Sequence, residues 1–177
     1  MELHSIRLSG FQSFGPEPTE LTLNDITYLI GPNGAGKTAA LQALCRLFAF
    51  DPSLRRIRRS DFHVPYDEED VPDERMLWIE ADFTFPELED DDETSTVAPH
   101  FGHMRLDTVD GPPRVRYRLS ASMGLDGDIE ETLVYVLDLN ADGSPLTTAL
   151  VPRAERNHVQ VHYLPARRDP ADRRAHV

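Results

Sequence analysis

The chain has 177 residues, enough for one domain with its own hydrophobic core, and 40% of them are hydrophobic. No apolar run approaches the ~18 residues that cross a bilayer, which excludes a membrane-spanning helix. A net charge of −13 argues against a general nucleic-acid clamp, because phosphate binding draws on clustered basic residues. The single cysteine and the absence of a secretion signal at the N-terminus predict a cytoplasmic protein.

The first thirty residues predict three short strands. Alternating apolar side chains indicate strands over residues 3–8 and 21–23, and residues 11–18 form the loop between them. The apolar run at residues 27–30 predicts a buried strand that leads directly into a glycine-rich loop.

The hydrophobic pattern changes period after Thr38 and predicts a helix. Apolar side chains recur three or four positions apart, and the Asp-Pro pair at residues 51–52 ends the pattern. Strand, loop and helix together span residues 27–50. The predicted apolar face of the helix consists of Leu41, Leu44, Cys45 and Phe48.

The middle of the chain predicts an antiparallel β meander over residues 76–139. Residues 77–85 and 114–121 alternate between apolar and polar side chains, which is typical of strands with one buried face. The Asp-Gly pair at residues 126–127 predicts a hairpin turn, and residues 129–139 predict the returning strand.

Charge is distributed unevenly along the chain. Acidic loops are predicted at residues 64–75 and 87–98, and basic residues cluster at 55–59. A final strand at 159–164 begins a last segment, residues 159–177, that ends in a basic tail. These clusters either form solvated loops or face phosphates or a partner.

Residues 31–38 have the sequence GPNGAGKT, which is a P-loop, and Lys37 within it is the only lysine among eighteen basic residues. Its glycines let backbone amides converge on phosphates at a helix N-terminus. Lys37 would reach the β- and γ-phosphates, and the Thr38 hydroxyl would ligate Mg²⁺. We therefore predict ATP and Mg²⁺ as cofactors. The predicted binding residues are Pro32, Asn33, Gly34, Ala35, Gly36, Lys37, Thr38 and Ala39, with Thr38 as the metal ligand.

Hydrolysis requires a further carboxylate near Mg²⁺ and a group that orients water. Asp138 ends an apolar run, but Leu139 follows where a glutamate would be expected, which favours an ordinary edge strand. We predict no catalytic residue in this chain.

The histidines and the cysteine are weak candidates for chemistry. On a strand, His158 and His162 would lie about 13 Å apart and could not chelate a metal together. His100 and His103 have no thiol partners and are expected in a loop. Cys45 is expected to be a packed core thiol.

Several segments resemble known ATPases. Residues 3–14, LHSIRLSGFQSF, followed by the P-loop, resemble the start of ABC-type DNA-maintenance ATPases of the RecF and SMC kind. Residues 58–63, RRSDFH, the strand at 77–85 and residues 161–169, VHYLPARRD, resemble the OLD (overcoming lysogenization defect) family, which includes the Gabija nuclease subunit. Gln12 stands where these families commonly place a basic residue.

The resemblance implies an α/β fold: a P-loop ABC-ATPase-like lobe over residues 1–177, with a mixed sheet, an antiparallel β meander and a P-loop helix, incomplete at its C-terminus. OLD proteins join such a lobe to a Toprim nuclease, and several act in phage defence. The implied partners are ATP, a second ATPase lobe from the same or another subunit of a homo-oligomer, and DNA through the full-length protein. The ABC signature, the Asp-Glu pair and the Toprim carboxylates have no counterpart here, so little turnover is expected from this segment alone.

Two alternatives remain open. One is a RecF- or SMC-like ATPase that clamps DNA without cutting it. The other is a small-molecule kinase with Arg167, Arg168, Arg173 and Arg174 as a phosphate lid. Arg167 and Arg168 could instead contact DNA or the partner lobe, or form a solvated turn.

Overall fold

The computed structural model describes residues 1–69, 72–85, 104–106 and 114–164. The predictions for the acidic loop at 87–98, for His100 and His103, and for the four arginines of the basic tail lie outside these residues. The P-loop helix is α1 (Lys37–Phe48), and short 3-10 helices occur at Pro52–Leu54, Arg59–Asp61 and Glu155–Asn157. The strands are β1 (Glu2–Ser9), β2 (Thr19–Thr22), β3 (Glu74–Thr84), β4 (Arg105–Leu106), β5 (Arg114–Gly124), β6 (Ile129–Leu139) and β7 (Pro145–Leu150).

The strands form one sheet in the order β2-β1-β3-β5-β6-β7, with β4 beside β5. Every strand pair in the described residues is antiparallel, so the predicted mixed sheet is wrong for this part of the chain. The only parallel pairing found there is an isolated bridge between Ala49 and Val161. The predicted meander is confirmed and also includes β7, whose mostly exposed side chains carry no alternating apolar pattern.

The core lies between one face of the sheet and α1. Apolar side chains of β1, β3 and β5 point to this face at alternate positions, as their sequence patterns predict. Phe48 of α1 packs edge to face against Phe83 and Tyr117, with ring centroids 5.7 and 5.0 Å apart. This contact joins the C-terminal end of the P-loop helix to the centre of the sheet.

The predicted apolar face of α1 is partly wrong. Leu41 is 44% exposed, whereas Ala40, Ala43 and Leu47 are buried. Because alanine side chains are small, the helix packs closely on the sheet through Ala40 and Ala43. With these two residues facing the sheet, Leu41 faces outward. Cys45 and Phe48 are buried as predicted.

Two predicted strands do not form. Residues 27–30 belong to no strand, and Ile26, Tyr28 and Ile30 are 72%, 80% and 92% exposed. No described strand pairs with residues 27–30 through backbone hydrogen bonds. Residues 159–164 likewise contribute only the single bridge at Val161.

The face of the sheet opposite α1, its outer face, carries a buried carboxylate–arginine cluster. Glu80 of β3 accepts hydrogen bonds from Arg7 of β1 at 3.0 Å and from Arg118 of β5 at 2.6 Å. Asp82 accepts from Arg116 of β5 at 2.8 Å. Arginines on both neighbouring strands therefore compensate carboxylates that are almost completely buried.

Candidate nucleotide-binding site

The P-loop folds into a turn that ends at the first residue of α1. Gly36 is the N-cap residue of the helix, in the left-handed conformation with φ 83°. Within the loop, the amide of Ala35 donates to the oxygen of Pro32 at 3.3 Å, and that of Ala40 donates to the oxygen of Gly36 at 2.9 Å. The remaining amides donate to no residue that the structure describes; they belong to Asn33, Gly34, Gly36, Lys37, Thr38 and Ala39. The site therefore presents six backbone donors at the positive end of a helix dipole.

Lys37 lies across this loop. Its Nζ atom donates to the backbone oxygens of Gly31 at 2.7 Å and Pro32 at 2.6 Å. An ammonium group has three N–H donors, so one remains for an anion. These two hydrogen bonds hold the ammonium group of Lys37 at the same loop whose backbone amides are available to an anion.

A pocket of about 360 Å³ opens at this loop. This volume is near the lower end for small-molecule sites. The lining residues include all but one of the predicted binding residues; they are Gln12, Ser13, Asn33, Gly34, Ala35, Gly36, Lys37, Thr38 and Ala39. The predicted residue that does not line it, Pro32, instead binds Lys37 through its backbone oxygen.

The second wall of the pocket, Gln12 and Ser13, comes from the loop after β1. A β-carbon placed on Gly36 would lie 3.1 Å from the Ser13 hydroxyl oxygen and 3.0 Å from the Phe14 ring. An added β-carbon would press on these two side chains, and the left-handed backbone at Gly36 separately favours glycine. The sequence prediction of the site missed these residues, although they lie in the FQSF segment that carries the resemblance to ABC-type ATPases.

The donor set fits a phosphate chain and only part of a magnesium site. Thr38 offers one exposed hydroxyl at the pocket. In the part of the chain that is described, no three His, Cys, Asp or Glu side chains form a group that could hold a metal ion. Mg²⁺ at this site would therefore depend on Thr38 and on oxygens of the nucleotide.

The other candidates from the sequence lie away from the pocket. Asp138 is exposed on β6, opposite Thr147 of β7. It is an ordinary strand residue, but the predicted edge strand is wrong, because β6 is paired with both β5 and β7. Burial raises the pKa of the Cys45 thiol, consistent with the predicted core thiol. His162 stacks on Phe50 with a centroid distance of 5.0 Å.

A larger groove of about 830 Å³ lies between the β1–β2 pair and α1. Its lining is largely apolar, with Leu3, Leu21 and Leu44 among the contributing side chains, and includes the carboxylates of Glu2 and Asp25. It contains none of the P-loop donors and does not suit a phosphate group. Among the described helices, none is long and apolar enough to cross a membrane.

Comparison with known proteins identifies a family. No curated protein matches the chain. A solved chain from "Structural biochemistry of ATP-driven dimerization and DNA stimulated activation of SMC ATPases" is similar at 17% identity, over 90% of this chain and 77% of that chain, with a TM-score of 0.48. Residues 1–171 match the family model "Protein of unknown function (DUF2813)", and the chain therefore belongs to this family.

Proposed function

We propose that residues 1–177 form a single ATP-binding lobe that holds ATP and Mg²⁺ at the P-loop. The observation that carries this proposal is the set of six available backbone amides beside Lys37 at the N-terminus of α1. A triphosphate carries enough negative charge and enough acceptor oxygens to engage these donors together. The binding residues are those predicted from the sequence, Pro32 to Ala39, with Thr38 as the protein ligand of the metal.

Each group has a definite task in this proposal. The P-loop amides bind and orient the phosphates, and the remaining N–H of Lys37 neutralises charge between the β- and γ-phosphates. Bound Mg²⁺ would supply further charge neutralisation. Among the described residues, no carboxylate cluster stands ready to complete the metal site or orient a water molecule.

The site is therefore proposed as a half-site. A second ATPase lobe, from the same or another subunit of a homo-oligomer, would supply the groups for hydrolysis. The segment at residues 27–30 supports this proposal: it pairs with no strand that the structure describes, and it exposes Tyr28 and Ile30, which suits pairing with a further strand. The lobe alone should bind nucleotide and turn it over slowly.

At a finer level, we propose that the lobe belongs to an OLD-type ATP-dependent DNA endonuclease, cytoplasmic and active in phage defence. Support comes from the resemblance of residues 58–63 and 161–169 to that family. The alternative is a DNA-clamping ATPase of the RecF or SMC kind. Full-length protein incubated with supercoiled plasmid, Mg²⁺ and ATP separates the two, because a nuclease nicks or linearises the plasmid whereas a clamp retains it intact.

Isothermal titration calorimetry with ATP and Mg²⁺ tests the binding site. Lys37→Ala removes a charge-assisted contact and should weaken binding by about one to two orders of magnitude. Arg153→Ala removes one positive charge from an exposed loop outside the pocket and should leave the affinity unchanged. Unaltered affinity in Lys37→Ala would reject the site. Multiple-turnover hydrolysis by the lobe alone, abolished by Lys37→Ala, would reject the half-site.

A further inference from the structure

Asp61 is a fully buried carboxylate close to the P-loop helix. Arg46 of α1 binds it with two donors, Nε to Oδ2 at 2.7 Å and Nη2 to Oδ1 at 3.0 Å. The amide of Arg58 also donates to Oδ2, at 2.9 Å. The carboxylate is thus held in one orientation by a paired charge and a backbone donor.

Gln12 supplies the fourth hydrogen bond to this carboxylate. Its Nε2 atom donates to Asp61 Oδ1 at 2.9 Å and to Gln42 Oε1 of α1 at 2.6 Å. An ionised carboxylate only accepts hydrogen bonds, so the amide nitrogen of Gln12 must face Asp61. Both N–H groups of Gln12 are therefore used to tie the β1 loop to Asp61 and to the P-loop helix.

The backbone of Gln12 is held in an unfavourable conformation at the same place. Its φ of 50° is in the left-handed region, and no other non-glycine residue that the structure describes has a positive φ. The backbone amide of Gln12 donates to the backbone oxygen of Asp61 at 2.7 Å, and the backbone oxygen of Gln12 lies 2.7 Å from Nδ1 of His63. Strain that is maintained by surrounding contacts is concentrated at functional sites in proteins.

This network acts on both walls of the candidate nucleotide pocket. Gln12 and Ser13 form one wall, and the other is the P-loop at the start of α1, the helix that contains Gln42 and Arg46. Asp61 lines no part of that pocket, yet it is bonded to Gln12 and to Arg46. It therefore links the loop that forms one wall to the helix that begins at the other.

We infer that Asp61, paired with Arg46, is a positioning residue for the nucleotide site: it fixes Gln12 and, through it, places Ser13 against Gly36 of the P-loop. This inference rests on the proposed function. A purely structural role for Asp61 would lower stability without a specific effect on nucleotide binding. The two roles therefore differ in a measurable way.

The test measures the dissociation constant of mant-ATP with Mg²⁺ by fluorescence titration, together with the melting temperature. Gln12→Gly removes the carboxamide and its hydrogen bonds, and glycine adopts the left-handed backbone without strain. These two effects on stability oppose each other, so the melting temperature should change little, while nucleotide binding weakens about 3- to 10-fold. Asp61→Asn removes the charge paired with Arg46 and should weaken binding at least as much, measured at a temperature where the variant is folded. Glu80→Gln is the matched control, because it disturbs a buried carboxylate–arginine cluster on the outer face of the sheet.

The outcomes separate the inference from the proposed function. Absence of mant-ATP binding by the wild type, or equal binding by Lys37→Ala, would overturn both. If Lys37→Ala loses binding while folded Gln12→Gly and Asp61→Asn bind like the wild type, the function stands and the positioning role is overturned. Equal weakening by Asp61→Asn and Glu80→Gln would also overturn the positioning role, because general destabilisation would then explain it. Weakening by Gln12→Gly and Asp61→Asn, with Glu80→Gln unchanged, supports it.

Discussion

The guanidinium of Arg156 donates to the backbone oxygen of Arg46 at 2.7 Å, across 110 positions of the chain, and to that of Leu47 at 3.1 Å. Both acceptors lie in the last turn of α1, where carbonyl groups have no partner within the helix. The amide of Val161 donates to the Phe48 oxygen at 2.8 Å beside them. The segment after β7 thus caps the C-terminal end of the P-loop helix, and the arginine complements the helix dipole.

Arg156→Met should destabilise the fold by about 1–3 kcal/mol, because it leaves buried carbonyl groups without donors. Urea denaturation measures the loss. Arg153→Met, an exposed arginine nearby in sequence, is the control and should change stability by less than about 0.5 kcal/mol. Equal effects of the two substitutions would show that the cap contributes nothing beyond its charge.

Gly36→Ala should cost more than the same substitution at Gly143. Both glycines have a positive φ, 83° and 78°, so alanine is strained at each. At Gly143 the new β-carbon meets nothing within 4 Å, whereas at Gly36 it meets Phe14 at 3.0 Å. We expect about 1 kcal/mol from Gly143→Ala and about 1–2 kcal/mol more from Gly36→Ala. Equal urea midpoints would mean that the β1 loop moves aside without cost.

Glu80→Gln should destabilise the protein by about 3 kcal/mol. The buried carboxylate accepts from Arg7 and Arg118, and a neutral amide would leave these arginines without their counter-charge. Urea denaturation with an unchanged m-value would attribute the loss to the folded state. A loss below about 0.5 kcal/mol would place this cluster with ordinary surface ion pairs.

Stability should fall at alkaline pH because of two buried tyrosines. Burial raises the pKa of Tyr117 and of Tyr135, and Tyr135 also donates to Glu155 at 3.1 Å. Since the folded pKa lies above the unfolded value of about 10, the contribution is complete below that pH and is lost as the pH rises above it. Urea midpoints from about pH 8 to about pH 11 measure the decline. Tyr117→Phe and Tyr135→Phe should each flatten it, and an undiminished decline in both would contradict the assignment.

The fold could be predicted where a segment has both a strand-like sequence pattern and a neighbouring strand with which it pairs. β3 and β5 alternate apolar and polar side chains, each is paired with strands on both sides, and α1 packs on their apolar face. Residues 27–30 are also largely apolar, but they pair with no described strand. A strand depends on its neighbour as much as on its own sequence, so the apolar pattern alone predicted a strand that does not form. The face of α1 was misassigned because small alanines, rather than Leu41, permit close packing on the sheet.

The candidate site could be predicted only in its local part. The P-loop is one contiguous segment, so its residues follow from the motif. Gln12 and Ser13 reach the pocket through the tertiary packing of the β1 loop, which no spacing in the sequence predicts. Asp61 follows two exposed arginines in RRSDFH, a sequence typical of a solvated loop, yet its carboxylate is buried and paired with Arg46 of α1, which no local pattern predicts.

On the proposed function, the segment at residues 27–30, which pairs with no described strand, links nucleotide binding and assembly in one equilibrium. It leads directly into the P-loop, so a strand that pairs with it would restrict the backbone that a phosphate chain must also order. Whichever binds first bears the larger share of that ordering cost, and each then raises the affinity of the other by the same factor. The apparent affinity of this lobe for nucleotide should therefore increase with the concentration of the partner that supplies the strand.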